Sequence, residues 1–185
     1  GQFNVANGEG AGTGTSTGLV INLSSAALTA ASVLSATSNT NISGALASVP
    51  AGSAAYLYSG SAPTNSPVAD TLTSIENVTL ASNGKNYVVG SDGANTITGG
   101  TGVDIIVSGK GNDIISAGAG VDNINAGAGN DTINIEDSTE INRAETITGG
   151  TGANNMTMLA ASTAINDADF ANVTLVQTFN LANGT

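Results

Sequence analysis

The feature that most constrains this chain is an aspartate that returns every nine residues, at positions 104, 113, 122 and 131. Aligned by nines, residues 90–134 give five consecutive units, GSDGANTIT, GGTGVDIIV, SGKGNDIIS, AGAGVDNIN and AGAGNDTIN. Glycine holds positions two and four, except at position two of the first unit, while Asp or Asn holds position six and Ile position eight. Such a period indicates that one local structure recurs along the chain.

Each unit combines a turn with a short strand. Glycine at alternate positions is typical of a backbone that turns through conformations closed to residues with a Cβ atom. The Ile at position eight predicts the centre of a three-residue strand, with one side chain pointing inward and two outward. Two units then make one 18-residue coil of an all-β parallel solenoid. Its thin core would be the column Ile97, Ile106, Ile115, Ile124 and Ile133.

The same geometry stacks the aspartates on one another. Residues 18 apart lie on the same side of adjacent coils, about 4.8 Å from each other, so Asp104 stacks on Asp122 and Asp113 on Asp131. Two carboxylates at this distance repel unless a cation lies between them. Turn carbonyls facing the same gap would give the all-oxygen cage that Ca²⁺ prefers. Asp as a simple turn former leaves the combined Gly, Asp and Ile period unexplained.

These units resemble the RTX (repeats-in-toxin) calcium-binding nonapeptides. The resemblance implies a parallel β-roll with 18-residue coils, held together by several Ca²⁺ ions. It also implies that each ion takes carbonyls two and four plus Asp six from one turn, and carbonyls one and three plus Asp six from the turn 18 residues later. Mapped onto this chain, the two sites are Gly100, Gly102, Asp104, Ala117, Ala119 and Asp122, and Gly109, Gly111, Asp113, Ala126, Ala128 and Asp131.

The repeat departs from this pattern at both ends. Asn95 stands at position six of the first unit, so an Asn95–Asp113 site carries less charge and should be weaker. After Asn134 the stretch IEDSTEINRAE inserts five residues before the strand TIT at 146–148. The turn GGTGAN then restores the pattern and predicts that Asp131 pairs with Asn154. The carbonyls of that site would come from Gly127, Gly129, Gly149 and Thr151.

On the opposite side of the solenoid, Asp122 faces the enlarged turn. Glu145 is its nominal partner, and Glu136, Asp137 and Glu140 are alternatives. Acidic runs are often only the solvated face of a loop. The sequence leaves both interpretations open.

Composition excludes several classes of function. The chain has 14 acidic and 3 basic residues, and this net charge of −11 argues against binding nucleic acid or an anionic membrane. It contains neither Cys nor His, which excludes thiol nucleophiles, His general bases and the zinc or haem sites that those residues hold. We therefore expect no enzymatic activity. No run approaches the roughly 20 apolar residues of a membrane span, so we expect no membrane insertion.

The segments before the repeats contain a second set of signals. DTLTSIENVTLASNGKNYVVG (70–90) resembles the lead-in to many RTX solenoids, and GLVINLSS (18–25) resembles the strand that usually precedes it. Between them, ALTAASVLSA (27–36) has apolar residues at helical spacing and predicts a short helix. SVPAGSAAYLYSGSAPTNSP (48–67) is punctuated by Gly and Pro and predicts an ordered loop. Its anchor Tyr56–Leu57–Tyr58 either caps the solenoid or contacts another subunit.

Three segments follow from these patterns. Residues 1–67 would hold an N-terminal strand and an Ala/Ser-rich insert packed on the solenoid, 68–158 the RTX β-roll, and 159–185 capping or association strands. The two ends echo each other, with QFNVANGEG at 2–10 and TFNLANGT at 178–185. Chance is one explanation in so restricted an alphabet. Matching ends would also suit head-to-tail stacking, because a solenoid exposes unpaired strand edges at both ends.

Two functions of different classes remain open at this point. The first is a calcium-dependent extracellular structural protein that assembles with copies of itself into a surface layer or filament. The alternative is the calcium-binding module of a larger secreted toxin, adhesin or hydrolase. The RTX resemblance implies type I secretion to the exterior or surface of a bacterial cell. Ice binding is disfavoured, because the Thr pairs around Ile97 and Ile147 do not recur coil after coil. Surface glycans are conceivable partners that no motif supports.

Overall fold

A computed structural model describes much of the chain, and the described part is almost entirely β structure. It comprises residues 2–5, 15–29, 31–33, 41–42, 48–59, 70–71, 75–80, 84–136, 141, 145–160 and 167–181. The strands, in chain order, are β1 (Gln2–Val5), β2 (Thr15–Asn22), β3 (Leu28–Thr29), β4 (Asn41–Ile42), β5 (Ser48–Val49), β6 (Ser53–Ser59), β7 (Asp70–Thr71), β8 (Asn77–Leu80), β9 (Asn86–Val89), β10 (Thr96–Thr98), β11 (Asp104–Val107), β12 (Ile114–Ser116), β13 (Asn123–Asn125), β14 (Thr132–Ile135), β15 (Thr146–Thr148), β16 (Asn155–Met158), β17 (Val173–Thr174) and β18 (Thr178–Leu181).

Successive strands alternate between two sheets, and this confirms the predicted parallel solenoid. Sheet A has the order β1-β8-β10-β12-β14-β16-β18, with every pair parallel. Sheet B has the parallel order β17-β15-β13-β11-β9-β2, and antiparallel β6 continues it beyond β2. Strands β4 and β7 pair with the outer edge of β6. Strands β3 and β5 form a separate antiparallel pair.

The eighth-position side chains form the core between the two sheets. The five Ile residues of the predicted column are each at most 1 % exposed and belong to a single buried cluster. Their strand neighbours are more exposed, so each strand directs one side chain inward and two outward. Burying one such side chain stabilises the fold by about 1.5–3 kcal/mol. This column therefore supplies the apolar stabilisation of a chain with few aromatic residues.

The five-residue insertion leaves the register of the coils intact. Asn123 pairs with Thr146 and Thr132 with Asn155, each 23 residues apart instead of 18. Ile141, from within the insertion, is 1 % exposed and belongs to the core. The enlarged turn is therefore anchored to the solenoid by an apolar side chain.

The Ala/Ser-rich insert differs from the prediction in two places. Residues 53–59 were expected to be a loop, but they form strand β6, which pairs with β2 along its length. Within 27–36, Leu28–Thr29 form strand β3 and residues 31–33 are helical, while residues 30 and 34–36 lie outside the described part. The edge of β2 has main-chain groups that need hydrogen-bonding partners. Pairing with them favours a strand at residues 53–59 more strongly than the nearby Gly and Pro residues favour a loop. The side chains of Tyr56, Leu57 and Tyr58 also lie outside the described part.

The insert packs against the outer face of sheet B. Ile21 points into the core, so its neighbours Val20 and Asn22 point outward. The buried Asn22 amide donates to the carbonyl oxygens of Ala26, Val49 and Pro50 at 2.8, 3.1 and 2.9 Å. Val20, Val33 and Val49 are fully buried but lie outside the inter-sheet cluster. A second, small apolar layer therefore fixes the insert to the sheet.

Both sheets continue beyond residue 158. A 3₁₀ helix, Asp167–Phe170, leads into β17 and β18, which add one strand to each sheet in the same parallel register. Phe170 and Phe179 meet edge to face, with ring centroids 5.1 Å apart. The last described strands therefore repeat the solenoid geometry without the Gly-Asp sequence period.

Candidate metal centre

Two ladders of polar side chains run along the solenoid, one on each side where the turns lead into the strands. In each ladder the side-chain oxygen of one coil accepts the main-chain N–H of the corresponding residue in the coil before it. The first ladder is Asn86, Asp104, Asp122 and Glu145. The second ladder is Asn95, Asp113, Asp131, Asn154 and Gln177.

The ladder contacts are short and buried. The N–H of Asp104 donates to Asp122 Oδ1 at 2.8 Å, and that of Asp113 to Asp131 Oδ1 at 2.9 Å. Across the enlarged turn, the N–H of Asp122 donates to Glu145 Oε2 at 2.7 Å. The structure thus stacks Asp on Asp as the sequence predicts. It also places Glu145 in the ladder, whereas Glu136 is exposed and Asp137 and Glu140 lie outside the described part.

The second oxygen of several ladder carboxylates lacks any protein partner. Asp113 Oδ2, Asp131 Oδ2 and Glu145 Oε1 are buried without a hydrogen bond. A buried, unpaired carboxylate oxygen is costly, and native proteins almost always satisfy such atoms with a donor, a water or a metal ion. The described basic residue nearest in sequence, Lys110, bonds instead to exposed Asp92 at 2.7 Å. The ladders therefore have the charge and the spare oxygens that a cation requires.

Comparison with protein-family models identifies the family of the nonapeptide repeats. Residues 80–115 and 98–133 each match the RTX calcium-binding nonapeptide repeat (4 copies). Residues 80–133 are RTX repeats. They are 54 of the 185 residues, and such repeats bind calcium, so several repeats imply several ions. Comparison with curated proteins gave no match, and neither did comparison with solved structures.

Burial disfavours the charged form of the ladder carboxylates when no cation is bound. Burial raises the pKa of Asp104, Asp113, Asp131 and Glu145, because desolvation penalises the charged form more than the nearby N–H donors favour it. The neighbouring charge of Asp113 raises the pKa of Asp131 further. A bound divalent cation would reverse this balance and hold the carboxylates ionised. The donor set therefore fits calcium.

Main-chain carbonyls must complete any ligand set in the RTX turns. The described residues contain no group of three acidic side chains close enough to hold a metal by themselves. The predicted carbonyls at Gly100, Gly109 and Gly127 each accept one N–H from the next coil, at 3.1, 2.9 and 2.8 Å. Each carbonyl oxygen has a second lone pair for a cation. The other predicted carbonyls lie in the same turns: Gly102, Gly111, Ala117, Ala119, Ala126, Ala128, Gly129, Gly149 and Thr151.

Several RTX turns stack too closely for a side chain at their glycines. Gly129 has a φ of +144°, and a Cβ atom there would overlap the carbonyl oxygen of Gly111 one coil earlier. Gly118, with φ +87°, stands in the same relation to Gly100. Glycine at positions two and four of these units therefore lets one turn approach the predicted ligand carbonyls of the turn before it.

Replacing Gly129 by Ala is expected to destabilise the calcium-loaded RTX β-roll by about 2 kcal/mol or more, since backbone strain is added to a main-chain overlap. Gly93→Ala is the matched control, because its Cβ would meet only Ser91 Oγ at 3.7 Å and its φ is not left-handed. We expect that control to change stability by less than about 1 kcal/mol. Urea unfolding in excess calcium measures both variants, and equal midpoints would contradict the tight stacking.

Sequence reasoning missed two ladder residues, Asn86 and Gln177. Asn86 Nδ2 donates to Asp104 Oδ1 at 2.7 Å, and Gln177 Oε1 accepts the N–H of Asn154 at 2.7 Å. Asn86 could have been found, since residues 81–89, ASNGKNYVV, keep Gly at position four and an apolar residue at position eight. Gln177 lacks any preceding glycine signal. Neutral amides thus close one end of the first ladder and both ends of the second.

The remaining sequence offers one match to a catalytic pattern. GTSTG at 14–18 fits the GxSxG pattern of serine hydrolases, which requires a sharp turn between a strand and a helix. Ser16 instead lies within β2, paired with Tyr58 of β6, and the chain has no His. RTX repeats themselves are typically structural and calcium-binding. None of the described helices has the length and apolarity needed to cross a membrane.

Proposed function

We propose that this chain is a calcium-switched structural protein of the cell exterior. In this proposal the RTX β-roll folds when calcium binds, and the folded solenoid then associates with copies of itself into a surface layer or filament. RTX repeats occur in secreted proteins, which supports an extracellular location and export by type I secretion.

The observation that carries the proposal is the set of buried carboxylate oxygens without a protein partner. At low intracellular calcium their mutual repulsion and desolvation oppose folding, so the chain stays unfolded for export. Extracellular calcium modules work at about 10⁻⁴–10⁻³ M, and binding free energy then becomes folding free energy. The switch needs no catalytic group.

The sheets support the association step. A parallel solenoid ends in strands with outward N–H and C=O groups, and among the described strands none pairs with the outer edges of β1, β17 and β18. Another chain can add to such edges by β-strand pairing. An end-to-end contact of this kind does not close on itself and gives open fibres or layers. With −11 net charge, calcium also lowers the repulsion between neighbouring subunits.

The second candidate is the calcium-binding module of a larger secreted toxin, adhesin or hydrolase. The outer edges of β17 and β18 favour this candidate, because further coils of a longer chain could pair with them as well as another subunit could. In that case the folded module has no need to associate with itself.

Sedimentation velocity of the intact chain separates the two. We expect the sedimentation coefficient to rise with protein concentration in millimolar Ca²⁺, but not in equal Mg²⁺ or in chelator. Circular dichroism of the same samples reports whether the chain is folded. A folded protein that stays monomeric in Ca²⁺ at the highest concentration would overturn self-assembly and favour the module.

A further inference from the structure

We propose that copies of this chain join head to tail through sheet A, with β18 of one copy pairing in parallel with β1 of the next. The inference rests on the proposed self-association and names the two edges that make it. It does not depend on whether the assembly is a filament or a layer.

The register of the strands in sheet A supports this joint. In sheet A the paired Cα positions run from Phe3 through the inward-pointing column to Phe179, with Val78, Ile97, Ile115, Ile133 and Met156 between them. The two strands with the shared sequence Phe-Asn-aliphatic therefore occupy the same position within a coil, at opposite ends of one sheet. Chance similarity of the termini would not require this common register.

The direction of the strands and of their outward main-chain groups also fits the joint. All strands of sheet A run parallel, so a second copy placed on the first without inversion brings β1 beside β18 in the orientation of every other pair. Gly99, the residue just after β10, donates its N–H to the carbonyl oxygen of Ser116 in the next strand of the sheet at 2.7 Å. Leu181 holds the corresponding position in β18, so its N–H faces an edge that no described strand occupies.

The apolar core is incompletely buried at its C-terminal end. Leu181 continues the column of Ile135 and Met158, which are 3 % and 1 % exposed, yet Leu181 itself is 59 % exposed. A further strand of sheet A would cover it as β18 covers β16. The strand that matches this register in a second copy is β1.

Sheet B does not offer an equivalent pair of edges. Its last parallel strand at the N-terminal end, β2, is covered by antiparallel β6, and β4 and β7 lie on the far side of β6. The parallel joint is therefore confined to sheet A.

Cysteine cross-linking tests the joint directly, since the natural chain has no cysteine. Asn4→Cys and Asn180→Cys are made as separate variants and mixed in Ca²⁺ under mild oxidation. Neighbouring parallel strands bring paired Cα atoms to about 4.8 Å, within disulfide range. We expect a mixed 4–180 dimer in calcium and none in chelator. Asn134→Cys, on an internal strand of the same sheet, is the control partner and should not cross-link to position 4.

A charge placed on the edge gives an independent measurement in the intact chain. Leu181→Lys should raise the concentration for half-assembly at least about tenfold, because an edge lysine opposes strand addition. Leu159→Lys is the matched control, with the same charge change at a side chain that is 53 % exposed, and it should have little effect. Circular dichroism in Ca²⁺ confirms that each variant folds.

The outcomes distinguish the joint from self-association itself. If the protein assembles but position 4 cross-links equally to 134 and 180, or the two lysine variants behave alike, the joint is wrong and the proposed function stands. If the folded protein remains monomeric, both are overturned.

Discussion

Chelating calcium is expected to remove most of the β structure of residues 90–158, and Ca²⁺ but not equal Mg²⁺ is expected to restore it. Three buried ladder oxygens, Asp113 Oδ2, Asp131 Oδ2 and Glu145 Oε1, have no protein donor, so the calcium-free fold carries their full desolvation cost. Each ion at a hundred times its dissociation constant stabilises the fold by about 2.7 kcal/mol. Several ions together therefore match the total stability of an ordinary domain, about 5–15 kcal/mol. Magnesium keeps its waters and demands a tighter octahedral cage.

Far-UV circular dichroism, with hydrogen exchange read along the chain, measures this transition. The antiparallel β2–β6 pair serves as an internal reference, because neither strand supplies a ladder side chain. Protection lost at residues 90–158 on chelation is the expected result. A spectrum and an exchange pattern that chelator leaves unchanged would contradict a calcium-dependent fold.

Asp113→Asn is expected to act in opposite directions with and without calcium. The amide keeps an oxygen to accept the N–H of Asn95, which Asp113 Oδ1 accepts at 2.8 Å, but it loses the charge. Loss of a charged ligand should raise the calcium midpoint of folding about tenfold or more. Because burial raises the folded-state pKa of Asp113, its ionised form destabilises the calcium-free fold, and that cost disappears at low pH or in Asn. Residual structure in chelator should therefore be greater for Asp113→Asn than for the unmodified chain.

Asp92→Asn is the control for this substitution. It removes the same charge from a side chain that is 70 % exposed and bonded to Lys110, where an ion pair contributes little. Calcium titrations followed by circular dichroism should place this midpoint within about twofold of the unmodified chain. Equal midpoints for the two variants would mean that Asp113 does not bind calcium.

The repeat made the central solenoid predictable because one period specifies three things at once. Its glycines indicate the turns, its Ile column the core, and its Asp column the stacked side chains. Pairing every second unit gives the length of the coil. The same alternation of sides predicts the contacts across the insertion, where Asn154 meets Asp131 and Glu145 meets Asp122. Local sequence sufficed there because each coil contacts only its neighbours.

The parts that sequence reasoning missed depend on contacts between distant residues. Strand β6 forms because β2 needs a partner at the start of sheet B, a demand invisible in the Gly- and Pro-rich stretch itself. Gln177 enters the second ladder through the register of β18, although the nine residues before it, 168–176, contain no glycine. The packing of the insert depends on the buried amide of Asn22, which bonds to carbonyls 4, 27 and 28 residues away.

The most direct test of the central claim is a crystal structure of the intact chain grown in Ca²⁺, with anomalous scattering used to locate the ions. We expect ions between Asp113 and Asp131 and between Asp104 and Asp122, with the otherwise unpartnered oxygens Asp113 Oδ2 and Asp131 Oδ2 and turn carbonyls as ligands. Ladders that hold no calcium in such crystals, with ions only at exposed acids such as Asp92, would contradict it.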